Sequence, residues 1–572
     1  MSFSFRHWKI RPVDEETVRK LSLQSELPLP LARVLALRGF HTPEMVERFL
    51  HPKLSGLSDP FLLPDMEKAV SRLWKAFQGG EIITVFGDYD VDGVTSAALL
   101  TRIFVALGAN VKPFIPDRLD EGYGLSVQAL ERCISEHGSS VVVSVDCGVN
   151  SVDSVRMAQT RGVDVIVTDH HEPGEETAPA FALINPKLGT VKSLEMLSGV
   201  GVAFKLAHAL VKRGRELGDA AAAVLELREY LDIVSLGTVA DIVPLREENR
   251  ILVRHGLTQL ARTRWPGLEA LKNVAGVKGE LETYHLGFQL GPRINASGRI
   301  GQPMEALSLL ITPDSAQAQR IARVLDETNA ERRKIEREMA DAAFEEIDTY
   351  FDPEKHFGLV VAREGWHPGV VGIVASRVSR HYNRPAIIMG IEEEGHARGS
   401  CRSIAEYNML DGLQACADLL SKFGGHKMAA GLEVKPGKLD DFKEQFNRAV
   451  FQSLENVDLT PVQPIDAVLE PRDVNQEFYC EMKKLRPFGQ DNPEPVWAME
   501  KMSVSGSPRV VGENHLKLSL VSKGCKFDAI AFNFPLEDLP PGRVDVAFVL
   551  KENCWMGNTT LQLQVLDIRP TN

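Results

Sequence analysis

The sequence predicts an α/β protein: a doubly wound, mainly parallel sheet, then a long connecting helix, a smaller α/β domain and a C-terminal β-barrel. Three observations carry that expectation. Between residues 60 and 310, short apolar runs alternate with helical patterns, as in parallel βαβ units. Between Pro313 and Pro353 a helical stretch runs without internal Gly or Pro. From about residue 462 the pattern changes to short alternating strands, five or more over about 110 residues, which suits a small barrel.

Taken in order, residues 1–50 hold turn signals and short helical patterns such as PLPLARVLALRGF (28–40), and read as an N-terminal cap without assignable chemistry. Residues 51–312 form the large α/β domain. ITVF (83–86) is a buried strand, 93–107 a helix, NVKPFIP a strand, 127–137 a helix, and VVVSVD and VDVIVTD two further strands; 198–310 is mostly helical. The connecting segment 313–353 contains the helix 315–350, about 54 Å long at the standard rise. Ile321, Val324 and Leu325 mark one apolar end and Ile335, Met339 and Ile347 the other, with polar 326–334 between. Lacking sustained heptads, it reads as a strut with packed ends and a solvated centre, not a coiled coil. In 354–455, HFGLVVA and RPAIIMG read as strands. GVVGIVASRVSRHY and DGLQACADLLSKF read as helices, with GGH (424–426) after the last of them. Residues 456–572 are the barrel.

At 572 residues the chain is too long for one core, and its 44% hydrophobic and 25% charged residues are ordinary for a soluble globular protein. No apolar run reaches membrane-spanning length, and MSFSFRHWKI lacks a signal-peptide core, so nothing points to membrane or export. Seven cysteines without a CxxC pair disfavour a disulfide framework or zinc ribbon and fit a reduced cytoplasm. The net charge of −13 argues against indiscriminate nucleic-acid binding. A polyanion could be held only where Lys and Arg are concentrated, in a confined basic channel beside an acidic surface used for other contacts.

The chemistry is concentrated after the strands. Asp88, Asp90 and Asp92 follow ITVF, Asp146 follows VVVSV, and Asp169-His170-His171 closes VDVIVTDHH. Asp241 follows the apolar run IVSLGTVA (233–240). Parallel strands place their carboxyl ends on one edge, where ligands bind, so these groups should converge. Several carboxylates meeting at one edge repel unless cations neutralise them, and carboxylates with imidazole but no thiol suit Mn²⁺ or Mg²⁺. His171 is the candidate partner of the substrate, bracing a phosphate as imidazolium or protonating a leaving oxygen. An acid after a strand can also be a helix N-cap, the alternative weighed for Asp88. Cys147 reads as a small packed residue.

Anion binders appear elsewhere. Ser400 and Arg402 stand two apart in RGSCRS, and Gly424, Gly425 and His426 offer close backbone approach plus an imidazole. Arg118 lies in PDRLDEGYG, and Arg293, Asn295 and Arg299 in GPRINASGR. Tyr123, Trp366 and Trp555 are candidates for aromatic stacking on a flat ligand group.

DYDVDG, SVDCG, TDHH and GTVADIVPL, in that order, resemble the motifs of the DHH phosphoesterase superfamily. SGVGVAFK, GPRINASGR, GWHPGVVGIVASR, ARGSCRS and GGHKMAAG resemble those of its RecJ family of single-strand exonucleases. The resemblance covers roughly residues 35 to 570. It implies a DHH catalytic domain, a DHH-associated domain and an OB fold for the barrel, whose strand spacing alone leaves other barrels open. It implies a two-metal site, with Asp90 and Asp146 on one cation and Asp92, Asp146, His170 and Asp241 on the other, Asp146 bridging. Small-substrate relatives carry a histidine four residues before the first of these acids; here Phe86 fills that slot, leaving Asp88 or water to complete the site. It implies that Arg118, Ser400, Arg402 and one of Arg293 or Arg299 gather at a 5′ phosphate. The expected activity is 5′-to-3′ hydrolysis of single-stranded DNA to mononucleotides in repair and recombination, by a monomer, with a single-strand-binding protein and a helicase as candidate partners. Two alternatives are a small-substrate phosphodiesterase or pyrophosphatase of the superfamily and a non-catalytic replication scaffold.

Overall fold

The computed structural model describes residues 6–117, 124–392, 395–512, 514–555 and 558–571. The chain divides into two compact units: one comprises residues up to Asn295, Gln302–Arg323 and Val462–Asn572, the other Ala296–Gly301 and Val324–Pro461.

The first unit opens with a short strand, β1 (His7–Ile10), paired in parallel with Val462–Ile465 at the start of the C-terminal region. The helices that follow are not a separate cap. Val18, Leu31, Leu35, Val46 and Phe49 belong to the same hydrophobic core as the barrel residues Trp497, Leu518, Val546 and Phe548. No chain pattern near residue 30 announces a partner more than 400 residues away.

The catalytic sheet contains β2 (Ile82–Gly87), β3 (Asn110–Phe114), β4 (Val141–Val145), β5 (Asp164–Thr168) and β6 (Ala182–Ile184), all parallel, in the order β3-β2-β4-β5-β6. Helices cover both faces, so the strands are buried on both sides and read as continuous apolar runs. Phe86, Val142 and Val165 pack with helices Val127–His137 and Val152–Thr160 on one face. Helices Val91–Ala106 and Gly199–Glu216 lie on the other. Pro113, which cannot donate to a ladder, sits on the edge strand β3. Because β2 connects outward to β3 while β4 lies on its other side, the chain reverses direction between β2 and β4. Such a switch point opens a crevice beyond the strand ends.

The apolar run before Asp241 is helical, in keeping with the mostly helical reading of 198–310. Leu231–Ala240 is a buried helix packed on helix Val91–Ala106, and Asp241 is its C-cap. A fully apolar run of this length cannot be assigned to strand or helix by periodicity alone.

In the second unit, β7 (Leu359–Glu364), β8 (Ala386–Ile391), β9 (Ala397–Arg402), β10 (Leu420–Gly425) and β11 (Ala429–Val434) form a mixed sheet of order β10-β11-β9-β8-β7. Here DGLQACADLLSKF does not form one helix. Only Met409–Gln414 is α-helical, and Leu420–Gly425 pairs with β11, so GGH lies at a strand end. The long helix spans Ser315–Asp348, and its polar centre is exposed as expected at Glu327, Glu331, Arg333 and Lys334, with two exceptions. Asn329 is buried, and the largely buried Arg332 donates to Asn329 Oδ1 and pairs with Glu336. Polar residues that satisfy one another can be buried, which a hydropathy pattern does not register.

The C-terminal region comprises β12 (Val462–Ile465), β13 (Ala467–Val468), β14 (Trp497–Val504), β15 (Arg509–Val511), β16 (His515–Ser522), β17 (Cys525–Ala531), β18 (Arg543–Trp555) and β19 (Asn558–Pro570). Pairing of β14 with both β18 and β16 closes β14-β18-β19-β17-β16 into a five-stranded barrel, the OB architecture. Among the described residues no helix is long and apolar enough to cross a membrane.

Candidate metal centre and phosphate-binding residues

The crevice at the switch point is lined by the ends of β2, β4 and β5. After β2 the chain turns tightly into helix Val91–Ala106. A Cβ on Gly93 would lie 2.4 Å from the Asp88 carbonyl oxygen, so only glycine allows the turn. The N-cap role weighed for Asp88 belongs to Asp90, whose Oδ1 accepts the N–H groups of Asp92 at 2.9 Å and Gly93 at 3.1 Å. Asn295 Oδ1 accepts the Val91 N–H at 3.2 Å, so this residue braces the acidic loop.

After β4, Asp146 adopts φ +62°, a left-handed conformation that costs a non-glycine residue energy, while its N–H donates to Thr168 O on β5. Asp146 sits against the start of helix Gly199–Glu216. A Cβ on Gly199 would lie 2.4 Å from Asp146 Oδ1. Asp92 faces the same helix start: its oxygens accept Gly199 N–H at 2.6 Å and Val200 N–H at 2.9 Å. The helix dipole therefore supports a negative charge on a buried side chain.

After β5, Asp169 Oδ1 accepts the N–H groups of His170 at 2.7 Å and His171 at 3.1 Å, and lies 2.8 Å from His171 Nδ1. Asp169 Oδ2 accepts Val149 N–H at 2.9 Å. These hydrogen bonds hold the Asp169 carboxyl below its ordinary range despite burial. In return, the hydrogen bond to Asp169 raises the His171 pKa. The His171 side chain remains 42% exposed, so it can be oriented by Asp169 and still face a substrate. His170 differs: burial and its neighbour His171 lower its pKa to about 4. It is therefore a neutral imidazole near pH 7, and its close approaches to carboxylates are not ion pairs.

The sequence-expected ligands fall into overlapping groups whose donor atoms lie within 4.8 Å of one another: Asp88, Asp90 and Asp146; Asp92, His170 and Asp241; and Asp146, His170 and His171. His170 Nε2 lies 3.2 Å from Asp146 Oδ1, 3.5 Å from Asp241 Oδ2 and 4.0 Å from Asp92 Oδ2. Burial, with the neighbouring acids, pushes Asp92 up to about 7, Asp241 up to about 9 and Asp146 well above the carboxylate range. Asp146 Oδ1, His170 Nε2 and Asp241 Oδ2 are buried without a hydrogen bond. A buried acceptor set of this kind is costly by itself and fits divalent cations. Phe86, in the slot of the absent histidine, is a core residue stacked on Phe114 with ring centroids 5.3 Å apart. Cys147 is buried, and burial raises its thiol pKa far from the ligand form.

The phosphate-binding candidates lie in both units. Within the second, Ser400 and Arg402 share a face of β9; Arg402 Nη1 donates to Ser400 Oγ at 2.7 Å. The backbone of helix Val371–Tyr382 presses on this pair, a Cβ on Gly372 meeting Arg402 Nη2 and Ser400 Oγ at 3.1 Å each. Ser400 is in register with Gly431, which is in register with Gly424. Gly425 has φ +147° and no room for a Cβ, whereas Gly424 faces open space; His426 N–H donates to Ala429 O across the hairpin. Arg299 donates to Gly369 O at 3.0 Å in that unit. Arg293, in the first unit, donates to Gln289 O at 2.6 Å. Arg118 and Tyr123 lie outside the described residues, as does the Trp555 side chain. Trp366 is partly buried against a core cluster. Sequence reasoning placed Asp169 among the converging groups without a role of its own and passed over Gly199, although one lies inside the DHH string and the other inside the SGVG motif.

Family models match along the chain: the DHH family N-terminal domain over 82–238, the DHHA1 domain over 356–451 and the RecJ OB domain over 465–567. The single-stranded-DNA-specific exonuclease RecJ of Bacillus subtilis (strain 168) is 40% identical over 99% of this chain and 71% of its own length. The crystal structure of RecJ in complex with Mn²⁺ from Thermus thermophilus superposes with a TM-score of 0.83 at 32% identity, covering 99% of this chain and 80% of that one. The Mg²⁺ complex from the same organism gives 0.78 at 30% identity, covering 99% and 79%.

Proposed function

The chain belongs to the RecJ family, and from that premise we propose that it is a single-stranded-DNA-specific exonuclease that hydrolyses phosphodiesters with Mn²⁺ or Mg²⁺. The observation that carries the reading is the convergence of Asp88, Asp90, Asp146, Asp92, His170 and Asp241 at the switch point of the parallel sheet, with buried ligand atoms left without hydrogen bonds. Asp88, Asp90 and Asp146 would hold one cation and Asp92, His170 and Asp241 the other, with Asp146 reaching both. A bound pair of such ions supplies an activated water and charge stabilisation at the scissile phosphate.

The remaining work falls to the chain. Asp169 fixes the His171 ring through Nδ1 and favours its protonated form, so that His171 can donate to a phosphate oxygen. Asp90 and Asp92 each spend acceptor capacity on helix N–H groups, which locks their rotamers. Ser400 and Arg402 are suited to a terminal phosphate, the guanidinium offering paired donors. Polarity is proposed as 5′ to 3′ with mononucleotide release, in DNA repair and recombination, by a cytoplasmic monomer acting with a single-strand-binding protein and a helicase. The barrel counts against a small-substrate phosphodiesterase, since a closed dinucleotide site needs no such surface; the intact acidic cluster counts against a scaffold.

The test is digestion of 5′- and 3′-labelled single strands with Mn²⁺, Mg²⁺ or chelator. Early release of the 5′ label with either metal, and none with chelator, is expected. Cleavage that survives chelation would refute the metal assignment, and early release of the 3′ label the polarity.

A further inference from the structure

We propose that Tyr284, Phe288 and Phe532 form a platform on which unpaired nucleobases of the substrate strand stack; this rests on the exonuclease reading above. Tyr284 is 56% and Phe288 73% exposed, yet their rings stack on each other with centroids 5.2 Å apart and an interplanar angle of 26°. They flank and occupy a π-helical turn, His285–Leu290, whose Leu286 and Leu290 are fully buried. The turn is thus anchored by its aliphatic face and presents its aromatic face outward. Its entry is fastened too: Thr283 Oγ1 donates to Phe488 O at 2.6 Å, and His285 Nδ1 accepts Glu282 N–H at 2.9 Å. Two rings held at stacking geometry on a fixed turn are prepared for a third flat partner.

The location ties this platform to the metal edge. A Cβ on Gly287 would touch Val239 at 3.7 Å, and one on Gly291 would touch Ala240 at 3.6 Å and Val91 at 3.8 Å. Val239 and Ala240 directly precede Asp241, and Val91 stands between Asp90 and Asp92. The helix continues to Asn295, which holds the Val91 N–H. Tyr284 also lines a groove of about 850 Å³ together with Phe532 of the barrel. Phe532 is 46% exposed and meets His515 edge-on at 5.0 Å.

Charge selects what enters. In that groove Arg486 is paired with Glu282 at 2.7 Å and Lys551 with Glu494 at 2.7 Å. Arg254 lines it as well, and the three cations of the lining are balanced by Glu280, Glu282 and Glu494, so the groove does not attract phosphates strongly. An aromatic lining with neutralised charge suits the faces of bases, with the sugar-phosphate chain turned to solvent, and stacking on every base alike gives sequence-tolerant binding.

The test compares binding, with chelator present to stop cleavage, of an oligothymidylate and of the same strand carrying abasic sugars. The full-length protein and its Phe288→Leu, Tyr284→Leu and Phe532→Leu variants are measured. Leucine keeps an apolar side chain but removes the π face. Wild type should prefer the base-bearing strand; each variant should lose about tenfold or more on that strand and far less on the abasic one. The preference therefore narrows, the salt dependence stays constant because no phosphate contact is removed, and Phe288→Trp restores the preference. Equal weakening on both strands in variants with wild-type thermal melting, or an unchanged preference, would overturn the platform. Wild type that degrades no single strand at all would instead overturn the exonuclease reading.

Discussion

Gly199→Ala adds one methyl group outside the proposed ligands, and the structure says where it goes. Its Cβ would lie 2.4 Å from Asp146 Oδ1, 2.7 Å from Cγ and 2.8 Å from Cβ. Ordinary carbon–oxygen contact needs roughly 1 Å more, so either the carboxylate or the helix start must move by about that distance. The helix is not free to move alone, because Gly199 and Val200 donate to both oxygens of Asp92. Displacing it drags a second acid, while displacing Asp146 disturbs a residue already at φ +62°. A shift of about 1 Å in a reacting geometry costs about a hundredfold in rate. Overpacking should also lower stability by about 1–3 kcal/mol. The assay is mononucleotide release under saturating strand, titrated with Mn²⁺, alongside a thermal melt. We expect turnover about a hundredfold down and a higher Mn²⁺ requirement in a folded protein. Wild-type turnover at the wild-type Mn²⁺ requirement would refute the placement of Asp146 against this helix.

Asp169→Asn keeps the shape of the side chain but turns an amide donor toward an N–H group and removes charge from the His171 bond; activity or metal affinity should fall roughly 10- to 100-fold, measured by Mn²⁺ titration, and an unchanged profile would remove Asp169 as the positioning residue. Arg402→Ala should narrow the preference for 5′-phosphorylated over 5′-hydroxyl strands by about tenfold to a hundredfold, the worth of a charged hydrogen bond; competition at fixed salt reads it, and an unchanged ratio would exclude Arg402 from the end pocket. Arg250→Met should lower Tm by on the order of 10 °C, because this buried guanidinium donates to the carbonyls of Phe49, Lys484, Leu485 and Arg486; a melt within a degree or two of wild type would show that the barrel is held in place by other contacts.

The strand-end acids were legible because two local signals coincide there: a buried strand needs a continuous apolar run, and acids follow three such runs in succession, at the sheet edge where ligands bind. Asp88, Asp90, Asp92, Asp146 and His170 were singled out on that basis, and so was Asp241, and the structure brings these side chains together. An apolar run such as IVSLGTVA serves equally as a strand between two helical layers or as a helix buried all round. What decides is packing against helix Val91–Ala106, which composition does not encode locally. The same limit hid the shared core of residues 18–50 with the barrel, since contacts across more than 400 positions leave no periodicity in either segment.

Residues that position the ligands were harder to see, and the reason is physical. A metal ligand is recognisable because few side chains can do its chemistry, whereas a residue that makes room is recognisable only by what it would collide with. Gly199 and Gly93 have no chemistry of their own. One lets a helix start reach the Asp92 carboxylate beside Asp146, the other lets a loop close over Asp88, and neither constraint exists until the chain is folded. Asp169 is the intermediate case. A carboxylate in this position could ligate a metal, but four N–H groups converge on its two oxygens, leaving it little capacity for a cation. Its negative charge therefore acts through His171, and the same aspartate after the same kind of strand serves a different purpose from Asp146, because the turn that follows β5 points its backbone donors inward.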